Sequence, residues 1–334
     1  MKKNSLISIL ISLMIVVSAC SSTPESNAGN DNNSQKANSG SKKDTVVVGV
    51  ENGNAPFSYI DEKGDVTGVD VDIIKSIAEA QGLEVDFRPM NFSSIVPSLQ
   101  TEQIDAAISS TSLAMTSERS EQVDFSEWIM ADNAGLASKK GSNIEKINDI
   151  KKGDVLSVKT GSTAENMAEL LAEETGATIR RFDTTDKVLQ DVINGQSDVA
   201  IESKYVLYDV LWKDRDYGIQ LLNGDALSYL LKASYGEGDG PTSTATNSTA
   251  MAVKKGNTEL LRMINEGLKT INENQVMSDI EKKWNLAISK HFTEENWDFV
   301  MEIDPHMKEL FSVGDGSFSA YKEDMESWGG ERLE

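Results

Sequence analysis

The sequence predicts an α/β protein of two similar lobes, each a mainly parallel sheet flanked by helices. From Thr45 onward, β-branched runs alternate with helical stretches in the order β-α-β-α-β, the signature of a parallel sheet covered on both faces. The same pattern recurs from Asp154, and the third strands of the two rounds echo each other, "EQIDAAIS" against "GQSDVAIE". Setting aside the first 43 of 334 residues leaves about 290, which length alone reads as about two domains. In such sheets ligands sit outside the carboxyl ends of the strands, so the cleft between the lobes is the expected site.

The N-terminus is of another kind. Met1-Lys2-Lys3 is a short basic start, followed by the apolar run "SLISILISLMIVVSA", too short to span a membrane with flanks. That is the pattern of a secretory signal ending in small residues. Val17-Ser18-Ala19 abut Cys20, the only cysteine of the chain, and the arrangement resembles the lipobox of bacterial lipoproteins. The resemblance implies a signal peptide at 1–19, cut before Cys20, with the Cys20 thiol as the lipid attachment point. A lone cysteine also excludes an internal disulfide framework. Residues 20–43 have no aliphatic run and no periodicity, so they bury too little apolar surface to fold and read as a flexible tether.

The body's elements follow in order. "TVVVGV" (Thr45–Val50) suits a buried strand. Between Gly68 and Gly82, Val69, Ile73, Ile74, Ile77 and Ala78 share one helical face, with Gly82 as the stop. Leu83–Met90 is a second strand, "FSSIVPSLQTEQI" a second helix, and Asp105–Ser110 a third strand. In the second round Asp154–Thr160, Ala177–Asp183 and Asp198–Ser203 are strands, separated by "TAENMAELLAEETG" and "TTDKVLQDVINGQ" as helices. Composition fits an exported soluble body: 39% hydrophobic residues suffice for a core, and no second run reaches membrane-spanning length. A net charge of −22 argues against nucleic acid as a partner, because phosphate neutralisation needs clustered Lys and Arg.

An ordered set of motifs then carries a family resemblance. "APFSY", "GVDVDI", "IVPSLQTEQIDAAISS", "TSERSEQVDFSE", "VKTGST" and "AVKKGNTELLRMINEGLKTI…IEKKWN" resemble the extracellular solute-binding proteins of family 3, the polar amino-acid receptors of ABC importers. The resemblance runs from about Thr45 to Asn285. It implies a periplasmic-binding-protein-like clamp of type II with a discontinuous first lobe. By similarity lobe 1 is 44–131 plus 249–288, lobe 2 is 135–232, 233–248 is an inserted loop beside the hinge, and 289–334 is an extension outside the family pattern.

The chemistry of a zwitterion can be argued beside the resemblance. A carboxylate, an ammonium and a side chain must all be satisfied when water leaves the cleft. Arg119 is the only arginine between Arg88 and Arg180, and a guanidinium grips a carboxylate through two parallel hydrogen bonds that a lysine cannot imitate. The motif implies that role for Arg119; a surface arginine paired with Glu118 or Glu121 is the plainer reading. From lobe 2, "KTGSTAE" places Ser162 and Thr163 at a strand-to-helix junction, where outward N–H groups favour an anion. Ser162 and Glu165 also fit a capping box, which is a complete structural account by itself. The resemblance implies Thr163 as a carboxylate contact, Ser110 and Ser112 as ammonium acceptors, Phe92 as an aromatic wall for the ligand side chain, and Glu51 as an acid near its distal end. Phe92 reads equally well as a core residue.

The chain also departs from the family pattern. Asn54 stands where many members carry an aromatic, so one wall of the sandwich is polar. Between Asp105 and Arg119 the segment is about two residues longer than usual, at Ala114-Met115, which bears on where the arginine falls. The ammonium-binding aspartate of lobe 2 has no clean counterpart: "DVAIESKY" offers Glu202 with a one-residue gap or Ser203 without one. Glu202 is the choice because an ammonium leaving water needs an acceptor charge.

Two further stretches carry weaker signals. "SYGEGDGPTSTATNST" (Ser234–Thr249) does not match a dinucleotide fingerprint, and Asp239 lacks the acidic spacing of a calcium loop. The tail beyond Leu286 is acidic yet holds Trp297, Phe299, Phe311, Phe318, Tyr321 and Trp328, so it is expected to pack on a lobe, with one short helix over 294–303. His291 and His306, the only histidines, fit no metal-ligand spacing, so neither a metal nor a cofactor is expected.

The reading that follows is a non-catalytic, monomeric, lipid-anchored receptor on the outer face of a bacterial cell membrane. Its partners are a small amino-acid-like ligand and the permease subunits of an ABC importer. The alternative is a dehydratase of the prephenate or cyclohexadienyl type on the same clamp, against which stands the lack of His and Cys in the folded lobes. Glu51 and Glu202 point to a cationic or polar ligand such as arginine, lysine or glutamine, and structural roles for both acids are equally compatible with the sequence.

Overall fold

Residue alternation along β1 (Thr45–Glu51) shows how the first lobe is covered. Val48 and Val50 point into one core, against α1 (Val69–Gln81), and Val47 points into another on the opposite face. A strand buried on both faces is what a continuous β-branched run specifies. The computed structural model describes residues 45–132, 134–224, 226, 247–284, 294–304 and 319. The signal, Cys20, the tether, Asp239, both histidines, Phe311, Phe318, Tyr321 and Trp328 lie outside the described residues.

The first sheet has the order β4-β1-β5-β14-β6, with β4 at Glu84–Met90, β5 at Ala106–Ile108, β6 at Val123–Phe125 and β14 at Ala252–Lys254. Parallel pairing joins β1 to β4 and β5, while β14 is antiparallel to β5 and β6, so four of the five strands run one way. The second sheet repeats the plan as β10-β9-β11-β8-β12. Its strands are β8 (Ala134–Lys139), β9 (Val155–Lys159), β10 (Thr178–Phe182), β11 (Val199–Ser203) and β12 (Ile219–Leu221). There β8 alone is reversed. In both lobes the reversed strand is the one that has just crossed from the other lobe. A two-stranded ladder of β7 (Met130–Asp132) and β13 (Asn247–Thr249) joins the two crossings.

Helices cover both faces. In lobe 1, α1 packs with α7 (Thr258–Glu273) and α8 (Val276–Lys283), and α2 (Ile95–Gln100) lies on the other face. The second predicted helix is shorter than its sequence span: a 3-10 turn at Phe92–Ser94 precedes α2, which ends at Thr101 before Glu102 turns left-handed. In lobe 2, α4 (Thr163–Thr175) packs on the face of Leu156, Val158 and Ile201, while α5 (Thr185–Ile193) and α6 (Lys204–Lys213) take the face of Ala200. Gly82 ends α1 in the left-handed region, as its position predicts. Gly68 starts α1 at φ 131°, and a Cβ there would lie 2.1 Å from the Phe57 carbonyl oxygen, so only glycine lets the Phe57 loop sit against the helix start.

The tail beyond the family motifs forms α9 (Glu294–Ile303), over the predicted span, and it packs on α6 of lobe 2. Trp297 and Phe299 are buried; Phe299 meets Trp212 edge-on at 4.9 Å, and the Arg215 guanidinium lies 3.8 Å from its ring centre. Among the described residues no helix is long and apolar enough to cross a membrane.

Candidate functional site

The two sheets turn their carboxyl strand ends toward each other, and charged side chains collect there. The period-2 rule puts Glu51 at the end of β1 on the face of Phe92. It puts Lys159 at the end of β9 on the face of Ser157, which is the α5 side. Glu202 in β11 shares the α5 side through Ala200. The outcome is a buried charge cluster. Lys159 Nζ lies 2.7 Å from Glu51 Oε1 and 4.0 Å from Glu202 Oε2, with side-chain exposures of 1%, 0% and 3%. The contact with Glu51 is an ion pair without hydrogen-bond alignment. Lys159 donates instead to Thr185 Oγ1 at 3.2 Å, and that hydroxyl donates to Glu202 Oε2 at 2.7 Å. Ser109 Oγ donates to Glu51 Oε2 at 2.6 Å, and the Ser203 N–H donates to Glu202 Oε1 at 3.0 Å. Lys159 was not among the residues singled out by sequence, although its place at a strand's carboxyl end was the available signal.

Arg119 occupies the facing wall. It belongs to α3 (Ser117–Gln122), whose cap Thr116 accepts from the Arg119 N–H. The side chain folds back so that Nη1 donates to the carbonyls of Ser112 (2.9 Å) and Ala114 (3.1 Å). Nη2 reaches across to the Gly161 carbonyl at 2.6 Å. The longer segment therefore leaves the arginine in the cleft, and the Ala114 carbonyl within it helps hold the guanidinium. Burial pushes the Arg119 pKa down to about 10, against the pull of Glu118, so the group stays charged at neutrality. Phe92, buried in the lobe 1 core, lies between the two cations, 5.5 Å from the Arg119 guanidinium carbon and 6.0 Å from Lys159 Nζ. It is a core residue that also flanks both cations.

The helix start on lobe 2 departs in detail from a capping box. Ser162 caps α4 by accepting from the Glu165 N–H at 3.3 Å, and its own hydroxyl donates to the Lys159 carbonyl. The Glu165 carboxylate reaches back one residue further, to the Gly161 N–H, and also holds Arg181. Gly161 sits at φ +78°, a left-handed turn that aims its carbonyl at Arg119. Thr163, the first residue of α4, is buried beside it.

The remaining sequence candidates divide. Ser110 is tied to the first turn of α1: its hydroxyl and its N–H both donate to the Asp70 carboxylate, the latter at 3.2 Å. Burial pushes Asp70 up to about 7, the two Ser110 bonds oppose this, and the Glu51 charge adds to it. Asn54 is fully buried and donates through Nδ2 to Thr111 Oγ1 at 3.0 Å. Its Oδ1, with Ser58 Oγ and Ser112 Oγ, is buried with no hydrogen-bond partner. Buried polar atoms left without a protein partner are groups that a polar ligand could satisfy. Among the described residues no cluster of His, Cys, Asp and Glu suits a metal.

Residues 46–287 match the sequence profile of the bacterial extracellular solute-binding proteins, family 3. The chain belongs to this family. It is 28% identical over 273 residues to the arginine-binding extracellular protein ArtP of Bacillus subtilis (strain 168), covering 81% of this chain and 96% of that protein. It is 28% identical over 291 residues to the ABC transporter glutamine-binding protein GlnH of the same organism, covering 82% and 94%. Among solved structures, an ancestral arginine-binding protein bound to arginine superposes with a TM-score of 0.63 at 29% identity, covering 72% of this chain and 98% of that one. The two-lobed clamp expected from sequence is the fold these comparisons support; ArtP and the ancestral protein are arginine-binding proteins, and GlnH is the glutamine-binding protein of an ABC transporter.

Proposed function

We propose that this solute-binding protein captures a zwitterionic amino acid with an uncharged polar side chain, glutamine being the first candidate, and presents it to an ABC permease. One observation carries the reading: the cation that Glu51 and Glu202 would otherwise seek is already supplied by Lys159. A basic side chain arriving there would meet an ammonium with no water to screen it. An amide side chain both donates and accepts, and so suits a site offering Lys159, Glu51 and the Asn54 carbonyl oxygen together. Arg119, with Ser162 and Thr163 at the start of α4, takes the carboxylate; Ser112 and the Glu202 side take the ammonium; Phe92 packs along the aliphatic stem. Ser110 acts through Asp70 rather than by direct contact.

The same reading assigns 1–19 to a signal peptide, Cys20 to lipid attachment, 20–43 to a tether and 233–248 to a loop beside the hinge. The receptor then works as a monomer on the outer face of the cell membrane, without catalysis. A thermal-shift panel of the twenty amino acids tests the ligand class, since binding to the folded state alone raises the melting temperature. The largest shift is expected from glutamine or another uncharged polar amino acid. A larger shift from arginine or lysine overturns the assignment, and turnover of prephenate or arogenate overturns the receptor reading itself.

A further inference from the structure

By the register of their own sheet, Lys159 and Glu202 should form an ordinary ion pair. Strands β9 and β11 run parallel with Leu156 opposite Val199 and Ser157 opposite Ala200, and the same step carried two residues further sets Lys159 beside Glu202 on one face. Opposite charges on such neighbours attract and ordinarily close to a hydrogen bond. Here Lys159 Nζ stays 4.0 Å from Glu202 Oε2 and lies instead 2.7 Å from Glu51 Oε1, which belongs to the other lobe. All three side chains are buried.

What stands between Lys159 and Glu202 is one hydroxyl. Thr185 Oγ1 lies 3.2 Å from Lys159 Nζ and 2.7 Å from Glu202 Oε2, and the residue is buried. The direction of both bonds follows from the groups themselves. An ammonium only donates and a carboxylate only accepts, so the single hydroxyl proton goes to Glu202 and a lone pair receives Lys159. Thr185 is fixed by the helix it opens, because Val188, Leu189 and Val192 of α5 are fully buried in the core that holds Ala200 of β11. That helix start also lies where the lobes meet: a Cβ on Gly53 of lobe 1 would come within 3.6 Å of the Thr184 side chain.

The hydroxyl therefore decides where the lysine charge is used. With Thr185 supplying Glu202 Oε2, the attraction of Lys159 to that oxygen at 4.0 Å is about two thirds of its attraction to Glu51 at 2.7 Å, and the ammonium settles on lobe 1. Without the hydroxyl, Glu202 Oε2 is a buried acceptor that has lost its donor, and Lys159 on the neighbouring strand is in reach of it. We propose that Thr185 is a positioning residue that keeps Lys159 off Glu202, so that the ammonium is presented to Glu51 and to the ligand side chain rather than spent inside lobe 2.

Thr185→Val keeps the shape and removes the hydroxyl, and Thr185→Ser keeps the hydroxyl. A crystal structure of Thr185→Val without added amino acid reads the placement directly. Lys159 Nζ is expected within hydrogen-bond distance of Glu202 Oε2, with Glu51 released, and Thr185→Ser is expected to retain the wild-type arrangement. Nζ still out of hydrogen-bond reach of Glu202 in Thr185→Val overturns the proposal. Calorimetry with glutamine and arginine reads the consequence for the ligand, the part that rests on the function proposed above. The affinity ratio of arginine to glutamine is expected to rise roughly fivefold in Thr185→Val, the scale of one hydrogen bond. It is expected to fall back when Glu202→Gln is added, because the carboxylate that captured the lysine is gone. An equal loss of affinity for both amino acids, with the ratio unmoved, would show that Thr185 is packing only and overturn the proposal. Should Thr185→Val not fold, Thr185→Ala removes the same hydroxyl and is read in the same two ways. If neither amino acid binds the wild type, the ligand assignment fails by itself, and the crystal structure still decides the role of Thr185.

Discussion

Replacing Lys159 with methionine removes the cation between the lobes while keeping much of the volume. At 2.7 Å and an effective dielectric of about 20, attraction to Glu51 amounts to about 6 kcal/mol before desolvation is subtracted. Both groups are at most 1% exposed, so solvent screening takes little from this. Breaking one side of a buried pair typically costs about 3–5 kcal/mol, because the partner is left charged and dry. Here the pair joins the lobes, so opening the clamp re-hydrates Glu51 and relieves part of the cost. The loss should therefore appear first as a weaker closed state and only secondarily as a lower midpoint in urea.

The sharper consequence is selectivity. With Lys159 gone, a cationic side chain can satisfy Glu51 and Glu202 together, so the affinity ratio of arginine to glutamine should rise at least about tenfold, or about 1.4 kcal/mol. Calorimetry with both amino acids on wild type and Lys159→Met reads that ratio. Adding Glu51→Gln to the variant should reverse most of the gain. An unchanged or lower ratio in Lys159→Met would refute the reasoning.

Three other outcomes are expected. Arg119→Ala should cost about 3–5 kcal/mol of binding, with Arg119→Lys between it and wild type, since lysine keeps the charge and loses the fork; near-wild-type calorimetry for the alanine variant would remove Arg119 from the site. Asp70 has a folded-state pKa above its unfolded value of 3.8, so the folded state holds the extra proton, and stability falls as pH rises from about 4 to about 7 and is flat above. That interval is worth up to about 4 kcal/mol at 1.36 kcal/mol per pH unit; urea midpoints across pH should lose this slope in Asp70→Asn. Cys20→Ala should move the protein from the membrane to the soluble fraction with ligand affinity unchanged, and retention in the membrane fraction would argue against lipid attachment.

The elements visible in the sequence were those whose cause is local. "TVVVGV" and the Ile73, Ile74 and Ile77 face of α1 are local patterns that need no partner to be read, and the tail helix over 294–303 was expected because the stretch is too aromatic to stay in water. Arg119 was singled out by the family motif around it, since its isolation between Arg88 and Arg180 left a surface ion pair as the plainer reading. Lys159 was missed for a physical reason. A lysine at a strand end ordinarily carries its charge to water, and the groups that make its burial tolerable lie far along the chain: Glu51, 108 positions earlier in the other lobe, with Thr185 and Glu202. Asp70 reads as an ordinary acid in a helix's first turn until Ser110 closes over it. In the capping box at Ser162, the residue types were legible but not the partner, because Glu165 answers to Arg181 as well as to the backbone.

The reach of Arg119 to the Gly161 carbonyl sets the terms on which the two lobes part. Together with Lys159 on Glu51, it joins them through their own side chains. Each contact must be exchanged for water or for another partner before the jaws separate, so resistance to opening grows with the strength of the pair. Under the function proposed above, an incoming carboxylate would replace the Gly161 carbonyl on the guanidinium, a swap of one acceptor for another in which the carboxylate alone brings charge.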